Sequence, residues 1–213
     1  MDVALSQLKD LDNLARCHKK AFPSALSSSL GSGFIRKMLS WYIVSERGVL
    51  IHVWHDQQLL GYCGGIITKK PGLPGAATSI TQYSFKAFLT SFLLRPWLLL
   101  HSENIKRFSF IKRNLQYKLG LRKVVSKNVV VNSTAEFVPF WGLVVIGVDP
   151  AFQGKGAGSL MLQEFERLAT LDAVKKLTLS VKPSNGKAIK SYEQNGWKKG
   201  STSEESLNMY KLL

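Results

Sequence analysis

A short glycine-rich segment, Gln153 to Gly158 (QGKGAG), combines residue types and a spacing that suit the binding of an anion. It follows a continuous apolar run at 141–148, which Asp149-Pro150 ends, and it precedes a stretch with helical periodicity at 157–171. Glycines let the backbone approach a ligand without clashes from a Cβ atom. The first N–H groups of a helix have no intrahelical partners, and the helix dipole favours negative charge beside them. The pattern predicts a site for an anion such as a pyrophosphate, with a purely structural tight turn as the alternative.

Two common phosphate-binding motifs do not fit this segment. A P-loop requires GxxxxGK[ST], which the sequence lacks. The dinucleotide fingerprint GxGxxG follows the first strand of a βαβ unit, whereas this segment lies late in the chain and spaces its glycines differently. The predicted anion site therefore indicates a class of protein that has neither a P-loop nor a dinucleotide fingerprint.

The stretch from Gly147 to Leu162 (GVDPAFQGKGAGSLML) resembles the motif Q/R-x-x-G-x-G/A of the GNAT superfamily of acetyl-CoA-dependent N-acetyltransferases. A second stretch is similar to the family's strand followed by N-x-x-A-x-x-x-Y-x-x-x-G-F: it consists of 177–181, then Asn185, Ala188, Tyr192 and Gly196-Trp197. Trp197 in place of Phe is the one departure. The clear resemblance covers about residues 140–200. It implies an α/β fold with a mixed, mostly antiparallel central sheet flanked by helices.

The resemblance also implies roles for individual residues. The strand before the turn would splay at a bulge and lend backbone groups to the pantetheine arm of CoA at Ile146, Gly147 and Val148. The pyrophosphate would lie against the turn formed by Gln153, Gly154, Lys155, Gly156, Ala157, Gly158 and Ser159. Asn185 would contact the cofactor, and Tyr192 would act as the general acid toward the departing thiolate.

Each of these roles has a structural alternative. Gly147 fits a bulge and equally a point of close packing. Lys155 suits a solvated surface as well as a phosphate. Asn185 is a good helix N-cap residue. Tyr192 suits an aromatic residue of the core as well as a proton donor.

In the mechanism that the resemblance implies, the acetyl group passes directly to a primary amine in a ternary complex. An alkylamine has a pKa of about 10, so a base has to remove its proton. Backbone N–H groups near Val148 would polarise the thioester carbonyl. Some relatives carry a Glu where this chain has Ser180, so the base must come from elsewhere. The candidates are Glu136, His52 and His55. No metal is expected.

The elements that position these residues follow from periodicity and turn signals. The sequence predicts helices from Leu5 to Ala21 and from Phe34 to Val44, followed by a hairpin of strands 48–54 and 58–68 around Asp56-Gln57. Glycines at 61, 64 and 65 indicate a bulge or a close approach of backbones. The last third predicts a strand at 141–148, a helix at 157–171, a strand at 176–181, a helix at 185–195 and a strand at 207–213. That order requires at least one parallel pair of strands.

We expect one domain over 1–213 with an insertion at 71–139, which does not resemble the family core. The insertion has helical apolar content at 76–127 and a short apolar run at Val129–Val131. Nine Lys and Arg residues lie between Arg95 and Lys127, opposed there by Glu103 alone. This segment favours an anionic acceptor such as a nucleotide-linked amino sugar, contact with a membrane surface, a homodimer interface, or simply a helical cover with a solvated basic face.

The whole chain is strongly basic, with 29 Lys and Arg against 14 Asp and Glu and a formal net charge of +15. Such a charge attracts polyanions, so a nucleic-acid-binding module or a membrane-surface protein is the alternative function, together with a non-catalytic CoA-binding protein. No helix-turn-helix, zinc-finger or RNP pattern supports nucleic acid. The two cysteines, Cys17 and Cys63, have no metal-binding or disulfide spacing, which favours the cytoplasm. No signal peptide is recognisable, and the apolar stretch 88–100 is too short to span a membrane.

Overall fold

A computed structural model describes residues 1–100 and 137–213 of the chain. Its centre is a seven-stranded sheet with the order β1-β2-β3-β4-β5-β7-β6. All neighbouring strands are antiparallel except β4 and β5, which are parallel. The predicted fold class and the predicted parallel pair are therefore confirmed. The strands are β1 (Asp2–Leu5), β2 (Gly48–His55), β3 (Gln58–Thr68), β4 (Phe140–Val148), β5 (Lys176–Val181), β6 (Lys198–Thr202) and β7 (Leu207–Leu212).

Helices cover both faces of the sheet. One face packs against α1, α3 and the start of α4, and the other against α5 and α6. Single-turn 3-10 helices lie at Leu8–Asp10, Pro96–Leu100 and Pro150–Phe152. None of the described helices is long and apolar enough to span a membrane. The α-helices are α1 (Leu11–Ala21), α2 (Leu26–Ser29), α3 (Ser32–Val44), α4 (Ala76–Leu94), α5 (Ala157–Leu171) and α6 (Gly186–Gln194).

Successive side chains of the central strands point to opposite faces of the sheet, which explains why two cores form. On β2, Val49, Ile51 and Val53 belong to the core beneath α5, whereas Leu50 points to the core beneath α1 and α3. Successive side chains of a strand point to opposite faces, so a nearly continuous apolar run is required where both faces are covered. In α5, Met161 and Phe165 lie one turn apart and are fully buried against this sheet.

The N-terminal helix begins later than predicted. The three-residue spacing of leucines suggested a start near Leu5, but residues 2–5 form an edge strand whose Val3 pairs with Val53 of β2. Leu5 and Leu8 are more than half exposed, so their spacing does not mark a buried face. The helix starts at Leu11, and its predicted end at Ala21 is confirmed.

Other boundaries agree closely with the predictions, with one omission. The Asp56-Gln57 hairpin, α5 and β5 have the predicted bounds, and both turn residues of the hairpin have positive φ, 48° and 62°. Strand β6 was missed because all five of its residues are exposed and none is a large apolar residue. Within the proposed insertion, α4 confirms the helical content of 76–94, whereas Val129–Val131 and Glu136 lie outside the described residues.

The predicted bulge at Gly147 is wrong, and the bulge lies three residues earlier. Gly64 pairs with Val145 and Gly65 with Leu143, so Val144 is the extra residue of β4. The shift in register falls between Gly64 and Gly65 of β3, where the glycines indicated a bulge or a close approach of backbones. Gly147 pairs in register with Tyr62, and a Cβ atom there would lie 2.7 Å from the ring of Phe22. The absence of a side chain at Gly147 therefore allows α1 and the residue after it to pack closely on β4.

Candidate active site

The candidate site begins where the two parallel strands separate. Strand β4 pairs with β5 only from Trp141 to Leu143, opposite 177–179. Beyond that point β4 continues along β3 as far as Val148, and β5 continues along β7 as far as Val181. A gap therefore opens between β4 and β5 in the middle of the sheet, and residues 144–148 have no strand partner on that side among the described strands.

The backbone of β4 presents polar groups to this gap. The N–H of Asp149 donates to the carbonyl of Leu60 at 2.8 Å, so that pair is hydrogen-bonded across the β3 side. In an antiparallel ladder the hydrogen-bonded pairs alternate, which directs the N–H and C=O of Ile146 and Val148 away from β3 and into the gap. The Val148 carbonyl accepts a 3.3 Å hydrogen bond from the Gln153 side chain. The Val148 N–H and both groups of Ile146 remain for a ligand.

The glycine-rich turn lies at one end of the gap. Gly154 and Gly156 have φ of 78° and 87°, a region that strains residues with a side chain. Helix α5 begins immediately afterwards, has no side-chain cap and carries no acidic residue in its first turn. No described atom lies within 4 Å of a Cβ atom built at Gly154, Gly156 or Gly158. Uncapped N–H groups thus face open space beside the positive end of a 15-residue helix, which is a favourable place for an anion.

Asp149 stabilises the segment that leads into this turn, a role that the sequence did not predict. Its buried carboxylate accepts hydrogen bonds from the Ala151 N–H at 3.1 Å and from Lys20 Nζ at 2.7 Å. Burial acts to raise the pKa of Asp149, but these two hydrogen bonds more than offset it, and the pKa lies below its usual value. The Asp-Pro dipeptide indicates a turn at this point. No local pattern in the sequence indicates that Lys20, 129 residues away, is the partner of Asp149.

Tyr192 lies on α6 and is buried on the α5 side of the sheet. The residue is 8% exposed and its ring packs 6.1 Å from that of Trp197, so it does belong to the core. Burial raises the pKa of Tyr192 to about 12, and the nearby Cys63 thiol adds to the rise. Cys63 pairs with Ile146 of β4, and both residues belong to the same core as Tyr192. Its hydroxyl has no hydrogen-bond partner among the described residues and is protonated at neutral pH.

The other predicted cofactor contacts lie near the starts of α5 and α6. Asn185 is the N-cap of α6, since its side chain accepts a hydrogen bond from the Ala188 N–H at 3.3 Å, and it is exposed. The Lys155 ammonium lies 5.1 Å from the centre of the Phe152 ring. The hydroxyl of Ser159 accepts a 3.1 Å hydrogen bond from Asn195, which ties the start of α5 to the end of α6.

The two candidate histidines are not brought to the gap. His52 is buried on β2, two strands from β4, and hydrogen-bonds Ser6 at 2.8 Å. Burial lowers the pKa of His52 below its usual value. His55 is exposed at the hairpin, 3.3 Å from Asp56. Ser180 does lie beside the gap, on the exposed face of β5.

A cleft of about 500 Å³ opens on the sheet face opposite α5 and α6. Gly142, Thr178 and Ser180 form part of this face, and no described helix covers it. Leu143, Leu179 and Met209, which otherwise face the core beneath α5, also line the cleft. Residues of both faces therefore border it, which means that the cleft reaches the gap between β4 and β5. No group of three or more His, Cys, Asp or Glu side chains suited to a metal is present in the part of the chain that the structure describes.

Comparison with known proteins identifies the class. The described sheet and its helices match solved acetyltransferases at TM-scores just above 0.5. The PaiA N-acetyltransferase of Thermoplasma acidophilum, solved in complex with coenzyme A, has a TM-score of 0.56 at 12% identity, with both chains fully covered. An acetyltransferase of Thermus thermophilus has a TM-score of 0.56 at 17% identity, over 100% of this chain and 96% of that one. At these identities the similarity shows the fold alone.

A third solved structure, the ribosomal-protein-S18-alanine N-acetyltransferase of Escherichia coli, has a TM-score of 0.53 at 14% identity over 99% of this chain and 92% of that one. Residues 123–197 match the model of the acetyltransferase (GNAT) family. Both motifs lie largely within these residues, so the resemblance inferred from them, to an acetyltransferase (GNAT) domain, is confirmed for this part of the chain. Acyl transfer is the general class of activity that this domain supports. No curated protein is significantly similar to the chain.

Proposed function

We propose that this protein transfers an acetyl group from acetyl-CoA to a primary amine by direct attack in a ternary complex. The observation that carries the proposal is the uncapped, glycine-rich start of α5 at the end of the gap between β4 and β5. Backbone groups of Ile146 and Val148 face the same gap, and the phenol of Tyr192 is buried in the core beneath α5. A nucleic-acid-binding module explains the positive charge but not this arrangement.

In the proposed complex the pyrophosphate of the cofactor lies against the N–H groups from Gly154 to Ser159. The pantetheine arm then runs into the gap, where Ile146 and Val148 offer hydrogen bonds to its amides. Gln153 supports this arrangement because its bond to the Val148 carbonyl fixes the turn against the strand. Asn185 keeps its amide nitrogen for the cofactor while its oxygen caps α6.

The acceptor amine approaches through the cleft on the opposite face and attacks the thioester carbonyl. Its nitrogen forms a bond to the carbonyl carbon, the carbon–sulfur bond breaks, and CoA leaves as a thiolate. The Val148 N–H stabilises the negative charge that develops on the carbonyl oxygen. The proton that the nitrogen loses finally reaches the thiolate by way of solvent or the phenol.

The pKa of Tyr192 defines its part in this step. A thiol has a pKa near 8.5, so moving a proton from a phenol of pKa about 12 to a thiolate is uphill by about 5 kcal/mol. Tyr192 therefore acts first as a hydrogen-bond donor that stabilises the thiolate. Complete proton transfer would leave a negative charge on the phenol oxygen, and this charge has to be neutralised in the same step.

The acceptor amine has to lose a proton to a base. The described residues that line the cleft include no carboxylate and no histidine. Water in the open cleft is therefore our first candidate to take the proton from the amine. Glu136, which lies outside the described residues, stays a candidate from the sequence.

The experiment compares ligands at matched ionic strength. Acetyl-CoA should raise the melting temperature at millimolar concentration, whereas stabilisation by DNA or RNA should collapse as salt rises. Release of the CoA thiol in the presence of a panel of primary amines then measures turnover. The absence of any shift with acetyl-CoA would refute the proposal, and salt-resistant stabilisation by nucleic acid in its place would favour the alternative.

A further inference from the structure

The cleft on the uncovered sheet face has an uneven distribution of charge. Its described lining contains apolar side chains, glycines and the neutral polar residues Thr178, Ser180, Ser201 and Asn208. Lys176 is the one charged residue in that lining, and no acidic residue opposes it. A site built for a polyamine or another polycation would be expected to present carboxylates. This lining instead favours an acceptor that carries negative charge of its own.

Lys176 has no acidic partner among the described residues, in contrast to four other lysines of the chain. Lys20, Lys69, Lys199 and Lys211 form ion pairs with carboxylates. Lys176 forms no ion pair or hydrogen bond with its side chain among the described residues, although it is half-buried. A partly desolvated ammonium attracts an anion more strongly than one that is fully solvated, because the effective dielectric constant is lower.

The position of Lys176 along β5 sets its distance from the gap between β4 and β5. It is the first residue of the strand, on the same face as Thr178 and Ser180. The gap between β4 and β5 opens after Leu179, three residues further on. At about 3.3 Å per residue, the two points are roughly 10 Å apart.

We propose that the acceptor is a primary amine with an anionic group, a carboxylate or a phosphate, about 10 Å from the reacting nitrogen, and that Lys176 binds this group. The inference rests on the proposed function, because it takes the gap as the place of reaction. It makes Lys176 a specificity-determining residue. Amino acids, whose amine and carboxylate are separated by a single carbon, are too short to reach both points.

The test is a series of unbranched amines that differ in length and in charge. Glycine, aminohexanoate and aminooctanoate are compared with the amino alcohols of equal length and with spermidine, using CoA release as the readout. We expect kcat/KM to rise with length among the carboxylates and to exceed that of the matched alcohol about ten- to a hundredfold, as a charge-assisted hydrogen bond would give. Spermidine should be the poorest acceptor of its length.

Variants at two adjacent lysines assign the preference to a residue. Lys176→Met should abolish the advantage of the long carboxylates through a rise in KM, and Lys176→Arg should retain most of it. Lys175→Met is the matched control, since Lys175 is exposed, carries the same charge and is not part of the described lining. It should leave the preference unchanged, and neither Met variant should alter the KM for acetyl-CoA.

The outcomes separate this inference from the proposed function. Turnover of amines with equal kcat/KM for carboxylates and alcohols would overturn the role of Lys176 while leaving acetyl transfer intact. A preference that survives in Lys176→Met, or that Lys175→Met removes equally, would overturn it as well. No turnover of any amine and no binding of acetyl-CoA would refute the proposed function itself.

Discussion

Replacing Gly158 by Asp should weaken the binding of CoA while leaving the fold intact or slightly stabilised. Gly158 is the second residue of α5, and a Cβ atom there would meet no described atom within 4 Å. An acidic residue in the first turn interacts favourably with the helix dipole, by about 0.3–1 kcal/mol. The melting temperature without ligand should therefore stay the same or rise by a few degrees.

The same carboxylate would repel a pyrophosphate bound at the turn. At about 5 Å the repulsion is roughly 1–3 kcal/mol for each phosphate charge, depending on the effective dielectric constant. A total of about 2.7 kcal/mol corresponds to a hundredfold loss of affinity. At a CoA concentration of about 100 Kd, the wild type should gain about 2.7 kcal/mol, or roughly 5–11 °C, whereas the variant should gain about 0.4 kcal/mol, or roughly 1 °C.

Gly33→Asp is a closely matched control. Gly33 is the second residue of α3, it also has open space around its Cβ position, and its helix also begins after a glycine with positive φ, Gly31 at 93°. Both variants add one negative charge to the same helical position. Thermal melts with and without CoA, at physiological ionic strength, give the readout. A full ligand-induced shift in Gly158→Asp, or an equal loss of the shift in Gly33→Asp, would refute the placement of the pyrophosphate.

Three further predictions follow from buried titratable groups. Tyr192→Phe should retain CoA binding but lower kcat by about 10- to 100-fold; wild-type turnover in this variant would exclude a role for the phenol. Burial lowers the pKa of His18 to about 4. As the pH falls below 6.5, the unfolded state therefore binds a proton at His18 before the folded state does. About 3 kcal/mol of the free energy of unfolding should be lost between pH 6.5 and 4. His18→Gln should flatten this slope in urea unfolding measured against pH, and an unchanged slope would contradict the assignment. Burial also raises the pKa of the Cys17 thiol to about 12 and that of the Cys63 thiol further. A thiol reagent at pH 8 should therefore label neither cysteine in the native protein and both cysteines after denaturation. Rapid labelling of the native protein would be evidence against this packing.

Local backbone rules determined the glycine-rich turn and the helix starts that form the proposed cofactor site. The glycines at 154 and 156, the helix start at Ala157 and the cap at Asn185 were predicted from neighbouring residues, because positive φ and unpaired N–H groups depend on a few consecutive positions. The bounds of α5 and β5 followed from periodicity, since an apolar face on a helix or strand has to be buried.

Tertiary structure alone decided the remaining features. The edge strands β1 and β6 have little buried apolar surface, so only their pairing with neighbours reveals them. The bulge at Val144 rather than Gly147, the separation of β4 from β5 and the ion pair of Lys20 with Asp149 all join residues far apart in the chain. The same holds for Lys176, because its proposed role depends on the cleft that it lines. Such contacts depend on which elements become neighbours when the whole core is buried, and periodicity within one segment carries no information about that choice.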